Sequence, residues 1–588
     1  MAAVTPDDPR PARGAPPLFY RSLSDFLRVL PGAAQRFWLL VFATGALAGA
    51  GAGGLLWLLR TVQALAWPAS PTFVEAVGAT TPLHRVAVPL AAGALVALVF
   101  AVWPRLPGGH GTARILEAIW HRGRELSLGR TLARGALSVT CVGMGASLGR
   151  EGALVQAGAS AGSWLATRLR LDEERTRVLV ACGAASGIAA AYDVPIGGAL
   201  FGLEVLLGSF ALELLGPIVV SCVVATAVAR IVPGAHLAYQ LPEYALLRPG
   251  ELLPALVLAP ALGLAAAGFV RLLGFVEVAL DRLPARLQPF LPPLGMGLVG
   301  LLAISYPPVL GNGFDTVQQM LVGALPLAVL LALVVLKVGA TALCAGTGVP
   351  GGLFTPTLFV GAALGGSAGL VLERMVPGLV PPGALALVGM AGMLAGTTHA
   401  AVSAAIIIFE MTGDYGVILP LMLAAAVAAA TARVVEPDSL YTAPLRRRGV
   451  ALPELPRPEW LRRTPVAAIV TPDAERVGPG ERFEIVLRRL LALAPGHDLY
   501  VTGEDGRLLG VIRLDALKGT IPDQAHLDMI VAGDVLDRGV EPLTSGLSID
   551  EVAQRFADGD LERLPVVDSE RRLIGTVGMR EVLALGRF

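Results

Sequence analysis

The sequence predicts an α-helical polytopic membrane protein, built from two inverted repeats of broken helices, with a small α/β unit after them. Three observations support this fold class. The chain is 54% hydrophobic and only 16% charged, and residues 338–372 contain no Asp, Glu, Lys or Arg. Interruptions by Gly and Pro recur at comparable places in two halves of the apolar region. Beyond residue 446, charged residues return every few positions, so membrane spans of about 20 apolar residues are excluded there.

The apolar segments define the predicted membrane domain. They occupy about 36–62, 84–103, 131–168, 176–232, 252–275, 293–308, 324–372 and 383–435. The first 35 residues contain several arginines and lack the apolar core of a signal peptide, and Arg446, Arg447 and Arg448 follow the last apolar segment. Because positive charge favours the cytoplasmic side, we expect a multi-pass protein of the cell (plasma or inner) membrane with both termini cytoplasmic.

Broken helices are predicted at two comparable places. In the first half, residues 149–158 precede 183–203, and in the second half 346–361 precede 389–410. Helices can break at membrane depth only where they are buried in protein or line a cavity. Paired interruptions of this kind are typical of inverted-repeat transporters with a binding site near the middle of the membrane.

An ionisable residue, Glu151, lies beside glycines in the first of these breaks. A carboxylate at membrane depth is costly unless it faces a partner or a water-filled path. Glycines allow close approach of backbone amides, and a helix N-terminus attracts an anion. The sequence therefore predicts that Glu151 competes with an anion for a site inside the membrane. The alternative is a structural glutamate held by its neighbour Arg150 in a buried ion pair.

The C-terminal region contains two copies of one pattern. Residues 497–512 and 563–577 each predict a strand, an acidic turn and a second strand, and an amphipathic helix precedes each copy, near 483–493 and 549–557. The predicted organisation is an N-terminal segment (1–35), a membrane domain (36–442, with halves over about 36–235 and 248–440), a linker (443–462) and a soluble pair (about 463–530 and 531–588).

Other function classes are less consistent with the chain. The sequence contains no metal cluster, nucleophile–base pair or phosphate loop, so we expect neither an enzyme nor a required cofactor, and no nucleic-acid partner. A divalent-cation transporter would need several carboxylates converging within the membrane, and those present are scattered. A membrane sensor without transport remains an alternative, although a scaffold needs neither a glycine-flanked glutamate nor paired broken helices.

Five motifs in order resemble the CLC family of chloride channels and proton-coupled chloride exchangers. They are Gly149-Arg-Glu-Gly152, Ala184-Ala-Ser-Gly-Ile-Ala-Ala-Ala-Tyr-Asp-Val-Pro195, Gly351-Gly-Leu-Phe-Thr-Pro356, Glu410-Met-Thr412 and Leu440-Tyr441. The resemblance covers about 36–442, and the soluble pair resembles cystathionine-β-synthase (CBS) domains over 463–588. It implies a homodimer in the lipid bilayer, in which each subunit carries chloride or a similar small anion between its two inverted halves.

The resemblance implies a role for each matching residue. Glu151 resembles the gating glutamate, whose carboxylate occupies an anion site when ionised and leaves it when protonated, and Arg150 and Gly152 belong to the same anion-binding motif. The backbone amides of Leu353 and Phe354 resemble the central anion site, with a glycine-kinked core helix as the alternative. The Tyr441 hydroxyl resembles the inner ligand of that anion, with an anchor at the membrane interface as the alternative.

Two departures from the family pattern bear on mechanism. His110 stands where an anion-coordinating serine is expected, and protonated His110 is predicted to strengthen anion binding at low pH, unless it is a neutral residue of a solvated vestibule. Val205 stands where exchangers carry the inner proton-transferring glutamate, directly after Glu204. Since a valine cannot carry a proton, this favours a passive gated channel. The alternative is a proton-coupled antiporter in which Glu204, Asp193 or internal water substitutes.

The CBS pair also departs from its family. Adenosine-binding CBS domains resemble one another in a Thr or Ser followed by an acidic residue, and the corresponding positions here are 513–516 and 578–581. Glu581 is the one residue that keeps a ribose-hydroxyl acceptor. An adenine nucleotide at the CBS pair is therefore a hypothesis, and dimer-stabilising packing is the alternative.

Overall fold

The chain divides into two units, Met1–Leu452 and Pro453–Phe588. The computed structural model describes residues 33–103, 111–120, 126–208, 210, 212–231, 239, 241, 244, 249–450, 464–472, 474–493, 497–517, 529–557, 562–579 and 581–582.

Helices form the first unit, and most of them coincide with the predicted apolar segments. The short helices Phe73–Gly78, Gly111–Trp120, Phe314–Leu321 and Ala443–Arg447 lie outside those segments. The helices of the first half are α1 (Ala33–Ala66), α2 (Phe73–Gly78), α3 (Pro82–Val102), α4 (Gly111–Trp120), α5 (Leu128–Gly143), α6 (Glu151–Arg168), α7 (Glu173–Tyr192), α8 (Pro195–Phe201) and α9 (Leu212–Ala229). Those of the second half are α10 (Leu253–Asp281), α11 (Leu291–Ser305), α12 (Phe314–Leu321), α13 (Leu327–Gly346), α14 (Phe354–Met375), α15 (Pro382–Thr398), α16 (Ala401–Thr412), α17 (Ile418–Val435) and α18 (Ala443–Arg447).

Several helices break where the sequence predicts it. Proline at the first position starts α8 and α15, because its missing N–H costs nothing there. The π-helical turn Gly202–Leu207 extends α8. Within the described residues, seven helices are long and apolar enough to cross a membrane, and α8, α9, α15 and α16 are shorter apolar helices.

The inverted repeat relates α6, α7 and α8 to α14, α15 and α16. In the first half, Gly158 and Gly183 bring α6 and α7 together so closely that a Cβ on Gly183 would lie 2.0 Å from the Gly158 carbonyl oxygen. In the second half, a Cβ on Gly389 would lie 2.1 Å from the carbonyl oxygen of Gly361. The chain then leaves both second helices through a left-handed residue, Asp193 after α7 and His399 after α15.

Two small three-stranded sheets form the second unit. The first contains β1 (Arg476–Val477), β2 (Leu499–Thr502) and β3 (Leu508–Ile512), and the second contains β4 (Leu543–Thr544), β5 (Arg563–Val567) and β6 (Leu573–Gly578). The helices are α19 (Phe483–Ala492), α20 (Leu514–Leu517), α21 (Ala532–Val535) and α22 (Ile549–Ala557). In both sheets the first strand pairs with the second in parallel, and the second with the third antiparallel. The predicted strand–turn–strand copies and amphipathic helices are confirmed.

Each sheet also receives a segment from outside its own copy. Thr471, which precedes β1, pairs with Thr576 of β6, and Val466 is buried in the core of the second sheet. Conversely, Asp537 pairs with Val511 of β3, and Ala532 is buried in the core of the first sheet. The two copies are therefore interlocked, because each core includes residues from the segment that leads into the other sheet.

The close approach of α6 and α7 predicts a stability difference between two glycine substitutions. Gly183→Ala places a methyl group against backbone that cannot yield without separating the helices. We expect it to lower the unfolding free energy by about 1–3 kcal/mol. The matched control is Gly268→Ala on α10, where a Cβ meets nothing within 4 Å. Thermal unfolding of the protein in detergent should show a lower midpoint for Gly183→Ala alone, and equal midpoints would contradict the packing described.

Candidate anion site

An antiparallel backbone pair joins the two halves at the centre of the first unit. Gly149 and Gly352 exchange two N–H···O=C hydrogen bonds, each 2.7 Å long. Directly after this pair the helices α6 and α14 begin, at Glu151 and Phe354. Helix N-termini present unpaired amides and partial positive charge, so the pairing brings two such ends to one place.

The glycines in this pair leave room for a carboxylate. A Cβ on Gly149 would lie 2.1 Å from both carboxylate oxygens of Glu151, and a Cβ on Gly352 would lie 2.3 Å from Oε1. Gly152 is also close-packed, since its Cβ would lie 3.2 Å from the Gly352 Cα atom. The motif glycines therefore make the volume that the Glu151 side chain fills.

Four hydrogen-bond donors surround the Glu151 carboxylate, which is 3% exposed. Oε1 accepts from the backbone amides of Phe354 (2.7 Å) and Thr355 (3.2 Å). Oε2 accepts from the hydroxyls of Thr355 (2.8 Å) and Tyr192 (3.2 Å). We call these two amides and two hydroxyls the donor ring. Hydrogen bonds to a charged group contribute about 1.5–3 kcal/mol each, enough together to offset a desolvation cost of several kcal/mol per ion.

Arg150 makes a different contact. Its Nη2 donates to the Ala191 carbonyl at 3.3 Å, whereas the donors to Glu151 come from α14 and from the end of α7. This arrangement favours the predicted competition at an anion site over the alternative of a glutamate held by Arg150.

The predicted amides are offset by one residue from those that bind the carboxylate. Leu353 and Phe354 were expected as the pair, and the carboxylate accepts from Phe354 and Thr355. Leu353 is the residue that caps α14, and its carbonyl accepts from the Thr357 hydroxyl. The predicted role of its amide in a central anion site stays a prediction.

Aromatic rings lie beside the donor ring. Tyr192 packs on Phe354 with 5.0 Å between ring centroids, and Phe201 contacts Phe354 at 6.4 Å and Tyr441 at 5.9 Å, both edge-on. Tyr441 is 7% exposed, which disagrees with the alternative of an anchor at the membrane interface. Its position next to Phe201 is consistent with the predicted inner ligand.

Two carboxylates, one in each half, cap the N-terminus of a helix in the opposite half. Glu204 accepts from the amides of Val402 (3.3 Å) and Ser403 (2.8 Å) at the start of α16. Glu410, on α16, accepts from the amides of Ile196 (3.0 Å) and Gly197 (2.5 Å) at the start of α8. Because the helix N-terminus favours a negative charge, the two contacts are the same cap used twice across the pseudo-two-fold axis.

Glu204 therefore has a structural partner that the sequence did not predict. The Ser403 hydroxyl also donates to it, at 2.5 Å. Val205 follows on the same π-helical turn and packs against the apolar core.

Sequence reasoning also missed Tyr192 and Thr355 as donors to Glu151. Both lie inside quoted motifs, beside residues that were assigned roles, and each carries a hydroxyl in an otherwise apolar stretch. A hydroxyl in an apolar stretch was the one sequence feature that could have marked these residues as hydrogen-bond donors. It gave no indication that the two side chains meet, because they are far apart in the chain and are joined by the fold alone.

The remaining predicted residues lie elsewhere. His110 falls outside the described residues. In the second unit, Glu581 accepts from Arg563 (2.5 Å) and from the Gly578 amide (3.1 Å). A ribose hydroxyl would have to compete with Arg563 for this carboxylate, so the nucleotide hypothesis stays a prediction.

Comparison with known proteins gives matches to both units. The family described as voltage gated chloride channel matches residues 92–433, and the family described as CBS domain matches residues 532–586. A ClcB-like protein of Ralstonia nicotianae is 39% identical over 411 residues, which are 68% of this chain and 90% of that protein. The voltage-gated ClC-type chloride channel ClcB of Citrobacter koseri is 33% identical over 387 residues, which are 63% of this chain and 89% of that protein.

Solved structures share the fold. A slow cyanobacterial Cl⁻/H⁺ antiporter superposes with a TM-score of 0.64 at 24% identity, covering 70% of this chain and 97% of that one. A eukaryotic CLC transporter superposes with a TM-score of 0.61 at 20% identity, covering 93% of this chain and 98% of that one. The predicted fold class, an inverted-repeat membrane domain followed by a CBS pair, is confirmed.

The reciprocal caps predict a graded loss of stability. Glu204→Ala removes the acceptor of a hydroxyl and of two amides at the start of α16, where Ser403 is buried and Val402 is exposed. We expect a loss of about 1–3 kcal/mol in the free energy of unfolding. Glu204→Gln keeps one acceptor oxygen and should lose less. Glu410→Ala, at the symmetry-related position, is the matched comparison and should lose a similar amount. Thermal unfolding in detergent measures all three, and an unchanged midpoint for Glu204→Ala would show that its cap is dispensable.

Proposed function

Because the chain belongs to the CLC family of voltage-gated chloride channels, we propose that it carries chloride or a similar small anion through a path gated by Glu151. The observation that carries this proposal is the donor ring filled by a carboxylate. Each of its groups donates a hydrogen bond and none carries a full positive charge. Donors of this kind suit a weakly basic halide, since they bind it without trapping it.

The gating step follows from charge. An ionised Glu151 and an anion repel each other and need the same donors, so one excludes the other. Protonation removes the negative charge and with it most of the attraction to the donor ring. The side chain can then leave, and the amides of Phe354 and Thr355 become free to bind an anion. Lower pH therefore favours the open path.

We propose a passive gated channel in preference to a proton-coupled antiporter. Val205 supports this, because it offers no proton acceptor on the inner side. The two nearby carboxylates are engaged: Glu204 caps α16, and Asp193 forms a two-bond ion pair with Arg230, at 2.8 and 2.9 Å. The antiporter remains the second candidate, since two of the solved structures with this fold are described as antiporters.

The oligomeric state and the orientation in the membrane are proposed from the family resemblance. The protein is proposed to act as a homodimer in the cell membrane, with both termini cytoplasmic and a path in each subunit. A CBS-regulated membrane sensor without transport is the candidate from another class. The occupied donor ring argues against it, because a sensor needs no competition between a carboxylate and an anion.

A reversal-potential measurement separates channel from antiporter. The purified protein is reconstituted in liposomes under opposed chloride and proton gradients. A channel should give a reversal potential that follows the chloride gradient alone and does not move when the proton gradient is changed. A reversal potential displaced by the proton gradient would contradict the channel and support the antiporter. Absence of any anion current in loaded, protein-containing liposomes would support the sensor.

Replacing the gating carboxylate tests Glu151 itself. We expect chloride efflux from liposomes to rise as the pH falls in the wild type, because protonation releases the gate. Efflux through Glu151→Gln should be nearly independent of pH, since the amide cannot ionise. The control is Glu174→Gln, an exposed glutamate in the first turn of α7, which should keep the wild-type profile. A pH dependence that survives in Glu151→Gln would assign the gate to another group.

A further inference from the structure

Two side-chain hydroxyls and one carboxylate oxygen form a closed triangle in the donor ring. The Tyr192 and Thr355 hydroxyl oxygens are 2.7 Å apart, and they lie 3.2 and 2.8 Å from Oε2 of Glu151. All three side chains are at most 3% exposed. The triangle is therefore closed to bulk water, and its members depend on one another for hydrogen bonds.

The number of hydrogens in this triangle changes with the state of Glu151. Two hydroxyls supply two hydrogens, so an ionised Glu151 can accept from both, or from Thr355 while Tyr192 donates to Thr355. A protonated Glu151 adds a third hydrogen, and each oxygen can then donate to the next around the triangle. Since hydroxyls donate or accept by rotation, Tyr192 and Thr355 remain satisfied in both states.

A third state arises when the Glu151 side chain leaves. One hydroxyl can still donate to the other, so one hydroxyl hydrogen is left buried without an acceptor, beside the Phe354 and Thr355 amides that have lost theirs. A buried donor without a partner is costly. A small monovalent anion at the former position of Oε2 would accept from both hydroxyls, because both of them already lie within hydrogen-bond distance of that position.

From this geometry we infer that the hydroxyls of Tyr192 and Thr355 are anion ligands, shared in turn between the Glu151 carboxylate and the permeant anion. The inference rests on the proposed function and deepens it. The two hydroxyls hold the closed gate, because they stabilise the ionised carboxylate. They also bind the anion that replaces it, so removing either one weakens both competitors for the position.

Other charged and titratable groups surround this position and are left unchanged by the test. They are Arg150 beside Glu151, Arg60 of α1, Arg134 of α5, Tyr239, and Tyr441 beside Phe201. A shift in pH dependence on removal of one hydroxyl is therefore measured against a constant electrostatic background.

The first test removes each hydroxyl while the gate is present. Tyr192→Phe and Thr355→Val keep the shape of the side chain and delete the donor. The ionised carboxylate loses stabilisation relative to the protonated form, so protonation occurs at higher pH. At chloride concentrations too low to fill the vacated position, the weaker anion binding does not offset this loss. Under that condition we expect the pH of half-maximal chloride efflux to rise by about one unit, the equivalent of a tenfold change. An unchanged half-maximal pH in both variants overturns the inference that these hydroxyls hold the gate.

The second test removes the gate and measures the anion directly. In the Glu151→Ala background, chloride binding to the protein in detergent is followed by isothermal titration calorimetry. Adding Tyr192→Phe or Thr355→Val should weaken chloride binding by about tenfold, as expected for a lost hydrogen bond to a charged ligand. Unchanged chloride affinity in both variants overturns the assignment of the hydroxyls as anion ligands, whatever the first test gives.

Matched controls separate these effects from general perturbation. Tyr244→Phe removes a buried hydroxyl that donates to the Leu321 carbonyl, and Ser367→Ala removes one that donates to the Ala363 carbonyl further along α14. Neither should change the pH of half-maximal efflux or the chloride affinity. If Thr355→Val fails to give folded protein, Tyr192→Phe carries both measurements.

Failure of this inference is distinguishable from failure of the proposed function. A wild-type protein that moves no anion, or a Glu151→Gln variant with wild-type pH dependence, would contradict the proposed function. A protein gated by Glu151 whose pH profile and chloride affinity ignore Tyr192 and Thr355 would contradict the inference alone.

Discussion

The backbone pair between Gly149 and Gly352 determines the geometry on which the site depends. It joins two chain segments from different halves and starts a helix on each side. A side chain on either glycine would collide with the carboxylate of Glu151. The pair therefore does two things with the same atoms: it fixes where two helix N-termini meet, and it keeps open the volume between them.

One carboxylate meets one set of amides because the two helix starts related by the pseudo-two-fold axis carry different side chains. The residue that begins α6 is Glu151, and the residue that begins α14 is Phe354. The backbone obeys the symmetry, whereas these two side chains break it, so the first half supplies the acid and the second half supplies the amides that bind it. Away from the axis, Glu204 and Glu410 keep the symmetry in both side chain and contact.

Much of this architecture could be predicted from the sequence because it depends on local chemistry. The apolar segments, their glycine and proline breaks, and the costly Glu151 are each visible in a short stretch of chain. The contacts of Tyr192, Thr355 and Glu204 could not be predicted, because each depends on a partner that is distant in the chain. Tyr192 meets Glu151 of its own half, whereas Thr355 and Glu204 each meet residues of the other half. The one-residue offset between the predicted amides (Leu353 and Phe354) and the amides that bind the carboxylate (Phe354 and Thr355) has a local cause. It depends on where α14 begins, which varies by a residue at helix ends.

The reciprocal caps also bear on how the chain is made. Glu204 is synthesised before the amides of Val402 and Ser403 that it caps, and the start of α8 precedes its own cap, Glu410. The first half thus enters the bilayer with an unmatched acid and an uncapped helix end, each of which is expensive in lipid. Neither is satisfied until the second half has been translated and inserted. The halves are therefore a single unit of biogenesis, and the completed first half depends on later insertion for its final structure.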